Sequence, residues 1–248
     1  MLCTRAQGLI YIPVTGFGQS GQFFQWKTKK LVRHLESNIS SFTSTEDPLD
    51  FEFFYPDAPV DLREGLSKPE YGTPTNDEIQ TDMRAWWSIL DDCKYTELAS
   101  SIAHLTSLSQ EYGPFDGVIG FSQGAAMALM FAALCEGMVN PQRRLATQGV
   151  PLLGTPPQKP LSLVIAIAGF KAPWDFCSGF YSPRISTPTL HIIGDLDIMI
   201  CQEWSSEIIS ECEDPEVLHH CGGHFVPNQS GILQGMSSFI GRVIARNA

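Results

Sequence analysis

The sequence predicts an α/β protein: a mainly parallel, six-stranded sheet with helices on both faces. Two patterns predict it, six apolar runs of strand length and the amphipathic stretches of helix length that lie between them. Strands that alternate with helices return to pair in parallel through right-handed crossovers, which cover both sheet faces. Length supports the same reading, because 248 residues at 43% hydrophobic can bury one sizeable core. One domain over residues 1–248 is therefore expected.

Taken in order, the strand candidates are "LIYIPV" (9–14), "FEFFY" (51–55), "DGVIGF" (116–121), "LSLVIAIAG" (161–169), "TLHIIG" (189–194) and "EVLHH" (216–220). Helical spacing covers 23–36, 79–90, 96–112, 123–136, 202–210 and 230–245. Two stretches fit neither period, 56–77 and 140–160, both rich in Pro, Gly and polar residues. They read as loops of the same domain, with lid or cap segments at about 60–90 and 140–160.

Charge and cysteines narrow the function classes. Sixteen basic residues against 27 acidic ones give a net charge of −11, and the basic run "KTKK" at Lys27–Lys30 is short, so nucleic acid is excluded as a partner. Seven scattered cysteines without a CxxC pair suggest neither a disulfide framework nor zinc, and fit reduced thiols in a cytoplasmic protein. The start of the chain reads as untargeted, and no apolar segment reaches membrane-spanning length.

The stretch "VIGFSQGAAMAL" (118–129) carries the chemistry. A GxSxG match arises by accident in a chain of this length with a probability of roughly 0.1, so context decides. Here the motif closes a strand-like run and opens a helix of small and apolar residues, the setting in which a serine is thrust out at a strand's carboxyl end. Gly120 and Gly124 would then let strand and helix approach closely. The bland alternative is a tight turn that needs small residues.

A serine hydroxyl needs a base, and the base needs a group to hold its tautomer. His34, His104 and His191 fall inside helix or strand patterns, where packing explains them. His224, in "CGGHFVPNQSG", follows two glycines beyond the last strand and is the favoured base; His220 is its main rival. The chain order Ser, acid, His places the acid in "TLHIIGDLDIMI". Asp197 is favoured over Asp195, because it lies in an apolar run where a carboxylate without a partner would be costly to bury. Backbone N–H groups of Gln123 and of Phe17, in the Gly-rich turn "VTGFGQSGQFF", are the candidate oxyanion donors. That turn lacks the lysine of a P-loop, so it does not read as a phosphate site.

These motifs resemble the FSH-type family of serine hydrolases, widespread in fungi and including thioesterases that release polyketides. The resemblance runs through "GFGQSG" (16–21), "YPDAP" (55–59), "AWW" (85–87), "YGPFDGVIGFSQGAAMA" (112–128), "PTLHIIGDLD" (188–197) and "GGHFVPN" (222–228). It implies the α/β-hydrolase fold, with Ser122 as nucleophile, Asp197 as acid and His224 as base. The family usually has a histidine where this chain has Thr15, which puts the packing of the first loop in question. "GFSQG" also occurs in carboxylesterases similar to acyl-protein thioesterases.

The expected activity is hydrolysis of a carboxylic ester or thioester through an acyl-enzyme, with no metal and no organic cofactor. The substrate is a small-molecule acyl ester or thioester, with an acyl carrier domain as a further partner. Trp86, Trp87 and Phe225 are candidates for an acyl pocket whose rim includes 61–77; the alternative for the tryptophans is a place in the core. The function from a different class is a binding protein on a hydrolase scaffold.

Overall fold

The computed structural model describes residues 8–38, 50–63, 83–88, 94–137 and 157–247. Six parallel strands, β1 (Gly8–Val14), β2 (Asp50–Phe53), β5 (Gly117–Phe121), β6 (Leu163–Ile167), β7 (Thr189–Gly194) and β8 (Glu216–His220), form one sheet in the order β2-β1-β5-β6-β7-β8. The order reverses at β1. Sequential growth goes one way to β2 and the other way from β5, so the loops after β1 and β5 diverge and open a crevice at the carboxyl edge.

Helices α1 (Gly21–Asn38) and α6 (Ser230–Asn247) cover one face, and α2 (Lys94–Glu111), α3 (Gln123–Glu136) and the short α4 (Ser178–Tyr181) cover the other. Helix α5 (Gln202–Ser210) packs with this second layer through Ile208. All 14 residues of α3 are buried, which explains why its sequence is apolar all round instead of striped. The side chains of β5, β6 and β7 are buried throughout, as central parallel strands require.

The sequence-predicted helix over 79–90 is corrected where it is described. Arg84–Ala85 (β4) pairs antiparallel with Val60–Asp61 (β3), and residues 86–88 continue without helical turns. The reason is tertiary. Gln123 receives the N–H of Trp86 on Oε1 and donates Nε2 to the carbonyl of Trp87, both at 2.8 Å, while Glu97 accepts from the N–H of Ser88 and Ser101 donates to the carbonyl of Trp86. Side chains of α2 and α3 thus satisfy backbone groups that a helix would otherwise pair, and the extended path buries both indoles. Most of the two candidate lid segments, 64–82 with 89–90 and 140–156, lies outside the described residues.

The "YPDAP" stretch has a structural use. Asp57 accepts the N–H of Gly21 at 2.7 Å and sets a negative charge at the amino end of α1, while the hydroxyls of Tyr55 and Thr28 bond at 2.6 Å.

Candidate active site

Ser122 sits between β5 and α3 with φ 54° and ψ −119°, a left-handed backbone that a non-glycine residue adopts only under constraint. The constraint comes from both sides. Its N–H donates to the carbonyl of Ile167 at 2.8 Å, and its own carbonyl accepts the N–H groups of Ala125 and Ala126 in the first turn of α3. A Cβ at Gly120 would run into the Gly124 carbonyl, and one at Gly124 into the carbonyls of Val14 and Thr15. Glycine at both positions is what allows the turn, and it leaves the hydroxyl at the positive end of a 14-residue helix.

His224 reaches that hydroxyl. Its Nε2 lies 3.0 Å from Ser122 Oγ and its Nδ1 2.8 Å from Asp197 Oδ2. The imidazole rests on Phe121, ring centroids 4.8 Å apart, so the residue before the serine supports the base. The Asp197 side chain is 2% exposed, and its other oxygen, Oδ1, accepts the N–H groups of Met199 and Ile200 at 2.9 Å each. Three donors therefore hold the buried carboxylate, which removes the cost that an unpaired one would carry.

The rivals are used elsewhere. Asp195 pairs with His219 in solvent at 2.8 Å. His220 is buried, accepts the N–H of Gly222 on Nδ1 and packs on Phe225; burial pushes its pKa down. His191 is buried in β7 beside the Cys212 thiol, and burial lowers its pKa to about 4. Burial also raises the Cys177 thiol to about 12 and the Cys135 thiol further, so neither buried thiol supplies a thiolate near neutral pH.

The N–H groups of Phe17 and Gln123 carry no hydrogen bond among the described residues. The loop bearing Phe17 is pinned by the N–H of Gly18, which donates to the Arg84 carbonyl at 2.8 Å, and by the Trp86 indole N–H, which donates to the Thr15 carbonyl at 3.0 Å. Thr15 is fully buried and its hydroxyl has no partner among the described residues, so the indole on the carbonyl of Thr15, and not the Thr15 side chain, anchors this turn.

That contact corrects the expected acyl pocket. Trp86 and Trp87 are 0% and 2% exposed and belong to the core, because Gln123 clamps their backbone against α3. Trp87 instead backs other aromatic rings, lying edge-on to Phe170 and Trp174. Those two rings line a cavity of about 660 Å³ with Tyr181 and Trp204, just beyond the carboxyl end of β6. The aromatic density of "GFKAPWDFCSGFY" (169–181) was the sequence signal for it. Phe225 is 41% exposed and faces α1 on the other side of the sheet, where it lines a separate groove.

A family model described as "Serine hydrolase (FSH1)" matches residues 12–236. The esterase OVCA2 of Xenopus tropicalis is 32% identical over 222 residues, which cover 86% of this chain and 83% of that protein. An uncharacterised hydrolase of Schizosaccharomyces pombe is 25% identical over 237 residues that cover 92% of this chain and 49% of that protein; the chain spans about half its length. The crystal structure of Zea mays acyl-protein thioesterase 2 matches with a TM-score of 0.57 at 16% identity, over 97% of each chain. That likeness shows the α/β-hydrolase fold.

Proposed function

This chain belongs to the FSH1 family of serine hydrolases, and from that premise we propose that it hydrolyses carboxylic esters or thioesters through an acyl-enzyme at Ser122. The observation that carries the reading is the continuous link Asp197, His224, Ser122 at 2.8 and 3.0 Å, ending on a serine held at positive φ. His224 Nε2 takes the Ser122 proton as Oγ attacks the acyl carbon, while Asp197 fixes the tautomer with the proton on Nδ1 and stabilises the imidazolium. The N–H groups of Phe17 and Gln123 receive the oxyanion, having no bond of their own to give up among the described residues.

The imidazolium then protonates the leaving alcohol or thiol, and the bond to the acyl carbon breaks. Water enters, gives its proton to His224, and releases the acid and the serine. The cavity at Phe170 and Trp174 lies just beyond the carboxyl end of β6, on the sheet edge that carries Ser122. No triad residue lines it, but it is the aromatic space to which this reading assigns an acyl chain longer than acetyl. The same steps serve a free ester and an acyl or polyketide chain held by a carrier.

A fluorophosphonate should label the protein once, at Ser122, and Ser122→Ala should abolish both labelling and turnover. Labelling at another residue would overturn the assignment. Across esters of graded length, Trp174→Ala should penalise long acyl chains more than acetyl, since each lost methylene contact is worth up to about 0.8 kcal/mol.

A further inference from the structure

The net charge of −11 makes one groove exceptional. Between α1 and the segment after His224 lies a cavity of about 500 Å³ walled by Lys27, Lys29, Lys30, Arg33, Trp26 and Phe225; among the described residues it has no acidic wall. Four of the chain's 16 basic residues thus face one hollow, and none of them pairs with a carboxylate among the described residues. Trp26, Lys29 and Arg33 also line an adjoining hollow with Glu36 and Glu52, which temper the charge of Lys29 and Arg33 but pair with neither among the described residues. The four cations still repel one another, so an anion that enters the basic groove gains from them.

The groove also has an aromatic wall. Trp26 is 66% exposed, and one side of its indole is stacked on Phe23, with centroids 5.9 Å apart and planes 22° apart. A ring braced in this way and left open to solvent is a platform for a planar heterocycle. Lys27 differs from its neighbours, because its ammonium lies 4.9 Å from the Phe23 ring and 5.4 Å from the Phe121 ring, and its partial burial lowers its pKa. Phe121 is the ring under His224, so a single aromatic side chain separates the basic groove from the base. Phe225 and Val226 carry the groove wall directly on from His224 in sequence.

We propose that this groove binds the phosphorylated nucleotide end of the substrate's leaving group, and that the chain therefore acts on acyl thioesters of coenzyme A type. The phosphates lie among Lys29, Lys30 and Arg33, the base stacks on Trp26, and the extended thiol arm runs past Phe225 to the acyl carbon at Ser122. The concave shape and the stacking ring favour a nucleotide over a flat anionic surface. The chemistry balances as an ordinary acyl transfer. The carbon–sulfur bond breaks as the Ser122 ester forms, His224 returns the serine's proton to the thiolate, and water then cleaves the ester to the free acid. This assignment rests on the hydrolase reading above.

The test compares thioesters of one acyl group: the coenzyme A thioester, the phosphopantetheine thioester without the nucleoside, and the uncharged N-acetylcysteamine thioester. In the unaltered protein kcat/KM should fall in that order, by about tenfold overall, the size of one or two charge-assisted contacts at a screened surface. Free coenzyme A should inhibit hydrolysis of a neutral ester at about tenfold lower concentration than free pantetheine, and added salt should narrow the gap. The combined substitution Lys29→Gln, Lys30→Gln, Arg33→Gln should bring the thioester ratio to about one, and Trp26→Ala should erase the advantage of coenzyme A over phosphopantetheine.

Equal rates on all three thioesters, from a protein that still labels at Ser122, would overturn the proposal while leaving the hydrolase reading standing. Inhibition by tripolyphosphate as strong as by coenzyme A would also overturn it, reducing the groove to a site for any polyanion. Absence of Ser122 labelling would instead remove the hydrolase reading on which the proposal stands.

Discussion

Two carboxylate–histidine pairs leave the same turn, and they differ in everything except distance. Asp195 meets His219 at 2.8 Å, and Asp197 meets His224 at 2.8 Å. The first pair stands in solvent, its side chains 45% and 49% exposed; in the second, Asp197 is 2% and His224 20% exposed. Asp197 also holds two backbone N–H groups, and the far nitrogen of its histidine touches Ser122. A short distance alone therefore says little. Burial fixes the orientation of the inner pair, and the third group gives that orientation something to act on, while the outer pair is screened and adds little to stability.

The largest effect that would break or sharpen this contrast is on turnover. Asp197→Asn leaves a hydrogen-bonding group in place but lets the amide donate to Nδ1, which puts the imidazole proton on Nε2, where it cannot accept from Ser122. kcat should fall by about 10³ to 10⁴ with the folded state retained, whereas Asp195→Asn should leave kcat within about twofold. Comparable losses for the two variants would show that the inner pair has no special role.

How far this contrast was legible in the sequence depends on which forces set each residue. The bounds of α3, α5, β7 and β8 coincide with their apolar patterns, because each pattern is closed by Gly, Asp or Pro signals close in the chain. The convergence of Ser122, Asp197 and His224 was legible for a similar reason: each lies just past the carboxyl end of a strand, and parallel strands put those ends on one edge. Asp197 could be ranked above Asp195 because its apolar neighbours made an unpaired carboxylate costly. The helical spacing over 79–90 does not hold at the described residues 83–88, because their backbone partners, Gln123, Glu97 and Ser101, come from other elements. The basic groove was invisible for the same reason, since α1 and the segment after His224 meet only in the folded chain.

A third imidazole separates burial from pairing. His191 is buried more deeply than His224 and, among the described residues, has a thiol and no carboxylate beside it; its pKa is lowered to about 4 from an ordinary value of 6.5. Between these two pH values the unfolded chain binds a proton that the folded protein refuses. The contribution is thus fully present above pH 6.5 and is lost as pH falls toward 4. Unfolding by urea should show the protein losing about 2 to 3 kcal/mol between pH 7.5 and 4.5 through this one residue, and His191→Leu should flatten that part of the profile. An unchanged slope in the variant would mean that acid sensitivity arises elsewhere.

The smallest effect belongs to the outer pair, and its smallness is the informative part. Asp195 and His219 attract as ions only while the imidazole is protonated, and both side chains are nearly half exposed, so water and salt weaken the attraction while the pair still loses rotamer freedom. Asp195→Asn and His219→Gln should each lower the unfolding free energy by less than about 1 kcal/mol at low ionic strength. In 1 M salt, where the screening length is about 3 Å, the difference from the unaltered protein should vanish. The double variant should cost no more than either single one if the two residues act only through each other. A salt-independent loss above about 2 kcal/mol would mean that this pair holds the turn for Asp197. The exposed pair would then be a support of the buried one, and turnover in Asp195→Asn would have to fall along with stability.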